Sequence, residues 1–150
     1  KGLCAPAGSL VAGSRKDMDR ARLYRKRLGG GMRQAGILAA AGLLALEEMP
    51  KRLTIDHAHA RLLAEGLARI GGVAIDPASV QTNIVIFDLS AVRLTGAACS
   101  EQLREEGVLA NAVGEYAVRM VTHHGVSAAE CERALAATAS VMSRYSKASR

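Results

Sequence analysis

The sequence predicts an α/β fold whose second part is an α+β layer, with helices packed on one face of a small sheet. Hydrophobic residues make up 49% of the 150 residues but aromatic residues only 3%, so we expect a core of Ala, Leu, Val and Ile. Short apolar runs typical of strands alternate with longer segments of helical periodicity. Glycines and prolines separate these segments at positions where turns and helix ends are expected.

The first third of the chain is predicted to contain a strand followed by two helices. Residues 8–13 (GSLVAG) form a short apolar run bounded by glycines, which is typical of a strand. Ser14 is a candidate N-cap for a helix from Arg15 to about Leu28. After the glycines at 29–31, a second helix is expected from about Met32 to Met49. Because it is apolar almost all round, we expect it to be deeply buried.

The remaining residues predict three further helices and three strands. Pro50 begins an amphipathic helix that reaches about Ile70 and is ended by Gly71-Gly72; its inward residues are Leu53, Leu62, Leu63 and Leu67. Residues 83–89 (NIVIFDL) form the clearest strand, followed by a helix at 95–106 that starts near Thr95 or Gly96. Strands at 107–113 and 117–122 are joined by a turn around Gly114-Glu115.

Ser127 and Glu130 match a capping box at the start of a last helix, which continues to about Tyr145. On this division, residues 1–49 belong to one body and residues 50–150 form a separate small α/β domain.

The net charge of +6 is concentrated between Arg15 and Arg33, where Lys and Arg are frequent and only two residues are acidic. A basic segment can attract nucleic acid, a membrane surface or a small anion. This segment contains a single aromatic residue, Tyr24, and no nucleic-acid-binding motif, so no nucleic-acid partner is expected. The longest apolar stretch, residues 35–46, is too short to span a bilayer, so no membrane partner is expected either.

Cys4, Cys99 and Cys131 are far apart in the sequence and lack CxxC spacing. This argues against a disulfide framework or a zinc site and favours a reducing, cytoplasmic compartment. Two histidine pairs, residues 57/59 and 123/124, have spacings that turn the side chains to different sides of a helix or a strand, so no metal site is expected.

The glycines at 29–31 are a candidate anion site. If a helix begins directly after them, several backbone N–H groups are exposed at its N-terminus, where the helix dipole favours negative charge. Lys26 and Arg33 flank the glycines with two cations, so a phosphate or carboxylate could bind there. The alternative is a flexible turn with surface charges.

Arg119 is the second candidate, because it lies in a predicted strand whose neighbours Val118 and Met120 point to the opposite face. Burial of a guanidinium among apolar residues is costly unless it is paired. A bidentate clamp on a substrate carboxylate is one solution. A salt bridge to a carboxylate of the protein is the other.

Several blocks of this sequence together resemble the low-specificity threonine aldolases. They are KGLCAPAGS at 1–9, RKRLGGGMRQAGILAAAG at 25–42, Asp56-His57, QTNIV at 81–85 and VRMVTH at 118–123. The KGL-x-AP-x-GS and GGGMRQ-x-G blocks are specific, and the resemblance covers essentially the whole chain. It implies the C-terminal part of a pyridoxal-phosphate (PLP) enzyme of fold type I, the aspartate-aminotransferase-like fold. Residues 1–49 would then be the end of the large PLP-binding domain, and residues 50–150 the small C-terminal domain.

The resemblance also implies roles for individual residues. Lys1 matches the lysine that binds PLP covalently, so it is the expected catalytic residue. Lys26 and Arg33 match active-site residues that serve the cofactor phosphate and could reach a neighbouring subunit. Arg119 matches the arginine that holds the substrate α-carboxylate. The implied reaction is cleavage of L-threonine or L-allo-threonine to glycine and acetaldehyde, by a homo-oligomer (a dimer or a tetramer) that acts on small β-hydroxy amino acids.

The chain opens at Lys1 without a methionine, so we expect it to be part of a longer protein and to be inactive by itself. Three other hypotheses stay open at this point. The protein could be a β-eliminating lyase of the same fold, an inactive truncated remnant of an aldolase that acts at most as an interaction module, or a basic nucleic-acid binder.

Overall fold

The computed structural model describes residues 2–146. The chain divides into two compact units, Lys1–Arg52 and Leu53–Arg150. The helices are α1 (Arg15–Arg27), α2 (Gly36–Glu48), α3 (Leu53–Leu67), α4 (Gly96–Glu105) and α5 (Ala128–Ser146), and the strands are β1 (Ile84–Asp88), β2 (Asn111–Ala112) and β3 (Ala117–Val121). Within residues 2–146, no helix combines the length and the apolar character needed to cross a bilayer.

Helix α1 begins and ends with local hydrogen bonds that its sequence predicts. The Ser14 hydroxyl accepts a hydrogen bond from the Asp17 backbone N–H at 3.2 Å, which confirms the predicted N-cap. At the other end, Gly30 N–H donates to Arg25 C=O at 2.8 Å and Gly29 N–H donates to Lys26 C=O at 3.3 Å. Gly29 has a φ of +79°, so these two bonds form a Schellman motif with glycine in the left-handed conformation.

Two predictions for the first unit were wrong. Residues 8–13 are exposed and irregular and have no ladder partner in the described chain, and an apolar run becomes a strand only when it is paired. Helix α2 starts at Gly36, not at Met32, because Gln34 adopts a φ of +51° that a right-handed helix excludes.

Helix α2 is also far less buried than predicted. Ala45 is its only buried residue, and Ile37 is 85% exposed. A helix that is apolar all round needs packing partners on every side. The residues described in its own unit provide them on one side only.

The second unit is a three-stranded antiparallel sheet of order β1-β3-β2 with α3, α4 and α5 packed on one face. Alternate strand residues point to that face and are buried, as the predicted layer requires: Val85, Phe87, Val118 and Met120. They pack with helix residues that are almost entirely aliphatic, including Leu63, Leu67, Leu103 and Val141. The opposite face of the sheet is not covered by any helix of this unit.

Helices α4 and α5 begin at the predicted caps, whereas α3 begins at Leu53, after a 3-10 turn at Met49–Arg52, and not at the predicted Pro50. The Thr95 hydroxyl accepts from Ala98 N–H, and Ser127 and Glu130 form a reciprocal capping box, with Glu130 Oε2 accepting from Ser127 N–H at 2.7 Å. Strand β2 is shorter than predicted, because Gly107 and Val108 close a Schellman motif at the end of α4. They are therefore part of a helix end and cannot join the strand.

The assignment of residues 1–49 and 50–150 to two domains of a longer enzyme stays a prediction.

Candidate functional site

The predicted site residues lie in different parts of the chain. Lys1, the expected PLP lysine, lies outside the described residues. Lys26 and Arg33 belong to the first unit and Arg119 belongs to the second.

The glycine segment 29–31 ends a helix and does not begin one. The amides of Gly29 and Gly30 donate to carbonyl oxygens of α1, so they are not free to bind an anion. The predicted row of exposed glycine amides at a helix N-terminus is therefore wrong. The reason is that glycine stabilises a left-handed C-terminal cap more than it favours a helix start.

The glycines instead allow two basic side chains to lie close to the backbone. A Cβ atom on Gly31 would lie 3.1 Å from Cδ and 3.6 Å from Nζ of Lys26, and one on Gly30 would lie 3.0 Å from Cγ of Arg25. The absence of a Cβ on Gly31 therefore lets the Lys26 side chain approach the glycine backbone, and the absence of one on Gly30 does the same for Arg25.

Two further features make this segment able to hold an anion. Arg33 is exposed a few residues before α2. Helix α2 is capped by Ala35 without a side-chain hydrogen bond and carries no acidic residue in its first turn. A phosphate could therefore be bound here by the cationic side chains of Lys26 and Arg33 and by the first backbone N–H groups of α2, which have no side-chain cap.

Arg119 lies in the central strand β3 and points to the face of the sheet that the helices leave open. Its neighbours Val118 and Met120 are buried on the helix-covered face, as predicted. In the register, Arg119 is opposite Ile86 of β1 and Asn111 of β2. Arg119 itself is half-buried and its neighbour Ile86 is 51% exposed, so this face of the sheet is partly accessible and partly apolar.

The guanidinium of Arg119 forms no ion pair with a described residue, and its buried Nε atom lacks a hydrogen-bond partner. The alternative predicted from the sequence, a salt bridge to a carboxylate of the protein, does not occur within residues 2–146. Asp88 lies diagonally across the β1–β3 pair, but it accepts from the backbone N–H and the hydroxyl of Ser90. These hydrogen bonds lower the pKa of the Asp88 carboxyl. The described residues therefore supply no carboxylate partner for Arg119.

The β2–β3 hairpin that carries Arg119 is held by the start of α4. Gly96 N–H donates to Glu115 C=O at 2.7 Å. A Cβ on Gly96 would lie 2.6 Å from Ala117 O and 3.0 Å from Gly114 O, so only glycine permits this approach. The close packing fixes the hairpin against the helix layer.

Asn111 was not identified from the sequence as a site residue, although it lies directly opposite Arg119. The predicted hairpin indicated its neighbourhood, but the register that pairs these two residues is set by the observed turn. His57 is exposed, and His123 Nδ1 accepts from Gly125 N–H at 3.1 Å. Residues 2–146 contain no group of three His, Cys, Asp or Glu side chains that could bind a metal.

Comparison with known proteins gives several extended similarities. The chain is 41% identical over 131 residues to low-specificity L-threonine aldolase 1 of Arabidopsis thaliana, covering 87% of this chain and 37% of the relative. It is 42% identical over 127 residues to the low specificity L-threonine aldolase of Escherichia coli K12, covering 85% of this chain and 36% of the relative. It is 34% identical over 134 residues to the alanine racemase TOXG of Cochliobolus carbonum, covering 84% of this chain and 33% of the relative. The chain thus spans just over a third of the length of these aldolases.

Two solved structures show the fold. The cysteine desulfurase CsdA from Escherichia coli matches with a TM-score of 0.59 at 14% identity, over 77% of this chain and 32% of that chain. MppP, soaked with the product 2-ketoarginine, matches with a TM-score of 0.53 at 16% identity, over 71% of this chain and 32% of that chain. The fold is part of fold type I of the PLP enzymes, as the sequence predicted.

The model of the beta-eliminating lyase family matches residues 1–91, which is more than half of the chain. This family and the fold together imply PLP as the cofactor. The match includes the glycine segment, Lys26 and Arg33, and extends through β1. The chain belongs to the beta-eliminating lyase family.

Proposed function

We propose that the protein containing this chain is a PLP-dependent carbon–carbon lyase that cleaves L-threonine and L-allo-threonine to glycine and acetaldehyde. The observation that carries the proposal is the similarity to low-specificity threonine aldolases, at 41–44% identity over 85–90% of the chain. Arg119 supports it, because its buried Nε has no hydrogen-bond partner among residues 2–146 and an amino acid substrate brings a carboxylate that a guanidinium can bind.

The residues that are described fit the cofactor and its substrate. The uncovered backbone at Gly31 with Lys26 beside it, together with Arg33, suits a phosphate group. In this proposal Lys26 and Arg33 bind the PLP phosphate, and Lys1 is the catalytic residue that holds the cofactor covalently. When bound, PLP supplies an electron sink at the substrate Cα.

Arg119 has two roles in the proposed reaction. Two parallel N–H···O bonds from a guanidinium to the α-carboxylate fix both the position and the rotation of the substrate. This rotation sets which bond at Cα is aligned for cleavage. Asp88, the carboxylate diagonally across the β1–β3 pair, accepts from Ser90 and forms no recorded ion pair with Arg119, so the guanidinium can serve this role.

The test is a steady-state assay of the purified holoprotein with L-threonine, in which acetaldehyde release is coupled to alcohol dehydrogenase. We expect Arg119→Ala to lower kcat/KM by about 100-fold, mainly through KM, since two charge-assisted hydrogen bonds to the substrate are lost. Arg119→Lys keeps the charge but not the planar fork, and we expect a loss of about tenfold.

Arg61→Ala is the matched control, because Arg61 is an exposed arginine on α3 of the same unit. It should leave the rate of threonine cleavage unchanged. Absence of acetaldehyde from the wild-type holoprotein would refute the proposed reaction. An equal effect of Arg61→Ala and Arg119→Ala would remove Arg119 from the substrate site.

A different reaction on the same scaffold is the second candidate. The matched family is named for β-elimination, and the similarity to TOXG extends over 84% of this chain. The holoprotein should therefore also be assayed for pyruvate release from L-cysteine and for inversion of L-alanine. A kcat/KM for either substrate that exceeds the value for threonine would replace the aldolase proposal.

We further propose that the protein is a homo-oligomer, a dimer or a tetramer, that works in the cytoplasm. The support for the assembly is the exposed apolar surface of α2, where Ile37, Leu43 and Leu44 are all accessible within the described unit. Light scattering of the holoprotein after size-exclusion chromatography tests the assembly, and a monomeric mass would exclude it.

A further inference from the structure

Asn111 lies beside Arg119 on the open face of the sheet. The two residues are directly opposite each other in the antiparallel β2–β3 pair. Side chains in this relation point to the same face, with Cβ atoms about 4.5–5.5 Å apart. On the other side of Arg119 the opposite residue is Ile86, whose hydrocarbon side chain cannot accept a hydrogen bond. Of the two residues directly opposite Arg119, Asn111 is therefore the one that can.

The Nε atom of Arg119 needs such an acceptor. It is buried and has no hydrogen-bond partner among the described residues. A carboxylate that binds end-on to the two terminal nitrogens leaves Nε unsatisfied and the guanidinium plane free to rotate. An acceptor at Nε satisfies the donor and fixes that plane.

We propose that Asn111 is a positioning residue for the substrate carboxylate and that it acts through Arg119. Its Oδ1 accepts a hydrogen bond from Arg119 Nε when a carboxylate occupies the two terminal nitrogens. This bond holds the guanidinium in the plane that the substrate carboxylate requires. This inference rests on the proposed function, since it uses Arg119 as the carboxylate-binding group.

The chemistry of the position supports a neutral amide. A carboxylate at residue 111 would pair with Arg119 and compete with the substrate. The carboxylate that does lie nearby, Asp88, is turned to Ser90 instead. Asn111 is on a strand of two residues at the edge of the sheet, and the close approach of Gly96 to the hairpin keeps that short strand in place.

The experiment measures ligand affinity of the holoprotein and not activity alone. Calorimetric titration with glycine, which carries the carboxylate, is compared with titration with 1-amino-2-propanol, which lacks it. We expect Asn111→Ala to weaken glycine binding about fivefold to tenfold, as expected for loss of one hydrogen bond of ordinary net strength, and to leave binding of the amino alcohol unchanged. In the threonine assay, KM should rise by a similar factor, with kcat within about twofold.

Two further variants keep the inference testable if Asn111→Ala is unstable. Asn111→Asp has nearly the same shape but brings a competing carboxylate, so we expect it to weaken glycine binding more than Asn111→Ala does. In a double-mutant cycle, Asn111→Ala should have no added effect on glycine affinity in the Arg119→Ala background, because Asn111 acts through that group. Additive effects would overturn the positioning role.

The outcomes separate this inference from the proposed function. If glycine binds with the expected coupling but threonine releases no acetaldehyde, the positioning role stands and the aldolase proposal falls. If glycine affinity is unchanged in both Asn111→Ala and Asn111→Asp, the positioning role is wrong even when threonine is cleaved.

Discussion

At the residue scale, the positions that matter are those where a polar group is either fully satisfied by its neighbours or left without a partner. Arg119 Nε has no partner among the described residues, whereas Asp88 Oδ1 accepts from the backbone N–H and the hydroxyl of Ser90. These hydrogen bonds hold Asp88 at its own turn, and Arg119 keeps a donor that a ligand could satisfy. Burial of a donor without a hydrogen bond costs about 1–3 kcal/mol of folding free energy. A ligand or side chain that accepts from Arg119 Nε would remove this cost.

The capping box of α5 gives a prediction at this scale. Ser127→Ala removes the hydroxyl that accepts from Glu130 N–H at 3.3 Å, and we expect it to lower the free energy of unfolding by about 1 kcal/mol. Urea denaturation of the purified protein measures the change. Ser143→Ala, near the exposed end of the same helix, should change stability less, and an equal loss in both variants would contradict the capping role.

The same cap predicts a pH dependence. Hydrogen bonds from Ser127 lower the pKa of Glu130 below its usual value of 4.5. A lowered folded-state pKa means that the ionised carboxylate stabilises the fold above the usual pKa, and that this stabilisation is lost as the pH falls through the lowered value. The difference in Tm between wild type and Glu130→Gln should therefore be present at pH 7 and shrink below about pH 4. A difference that stays constant over this range would rule out the carboxylate as its source.

At the element scale, glycines determine where helices end and how closely they approach other elements. Gly29 ends α1 through a left-handed φ, and Gly96 lets the start of α4 contact the β2–β3 hairpin. The role of Gly29 needs a backbone conformation that other residues rarely adopt, and the role of Gly96 needs the absence of a Cβ atom. Alanine substitutions at Gly29 and Gly96 test the two roles separately.

Gly29→Ala should lower the free energy of unfolding by about 1–2 kcal/mol, because a side chain is strained at a φ of +79° although there is open space around it. Gly42→Ala is the matched control: it lies inside α2 with no atom within 4 Å of the new Cβ, so it should stabilise the helix by up to about 1 kcal/mol. Thermal unfolding of both variants tests this, and a loss of stability in Gly42→Ala would show that the side of α2 at Gly42 is packed in the intact protein.

Gly96→Ala should displace the hairpin, because the new Cβ would lie 2.6 Å from Ala117 O. We expect a loss of stability of about 1–3 kcal/mol, typical of overpacking, together with a higher KM for threonine, since Arg119 and Asn111 are both on this hairpin. Urea denaturation and the coupled assay measure the two effects. An unchanged KM would show that the hairpin does not need this contact to place Arg119.

At the scale of the whole molecule, burial in the core separates the three cysteines. Cys99 and Cys131 are buried in the second unit, whereas Cys4 is exposed in the first. Burial raises the pKa of the Cys99 thiol to about 11 and also raises that of Cys131, so little thiolate forms on either at neutral pH.

We therefore expect iodoacetamide at pH 8 to modify Cys4 in the native protein, with Cys99 and Cys131 reacting only after denaturation. Mass spectrometry of tryptic peptides after timed quenching identifies each site. A Cys4→Ser variant should show no fast-reacting site among these three positions. Rapid native modification of Cys99 would mean that the second unit opens far more readily than its packed core implies.

The sequence by itself determined the local features of this protein. The caps at Ser14, Thr95 and Ser127, the aliphatic composition of the core and the alternation that places Arg119 opposite to Val118 depend on nearest neighbours in the chain, so pattern and spacing predict them. The order of the sequence motifs was sufficient to identify the family. It implied roles for Lys1, Lys26, Arg33 and Arg119 that stay predictions.

Only the tertiary structure decided the features that depend on distant partners. Residues 8–13 were predicted to be a strand but are irregular, because no described segment pairs with them. The glycines at 29–31 end a helix, because the bond from Gly30 to Arg25 competes with a new helix start. The pairing of Asn111 with Arg119 follows from the register of the hairpin. Asp88, which lies diagonally from Arg119, accepts from Ser90, and no ion pair between Asp88 and Arg119 is recorded. Strand pairing and the choice of ion partner are long-range contacts, and one-dimensional periodicity carries no information about them.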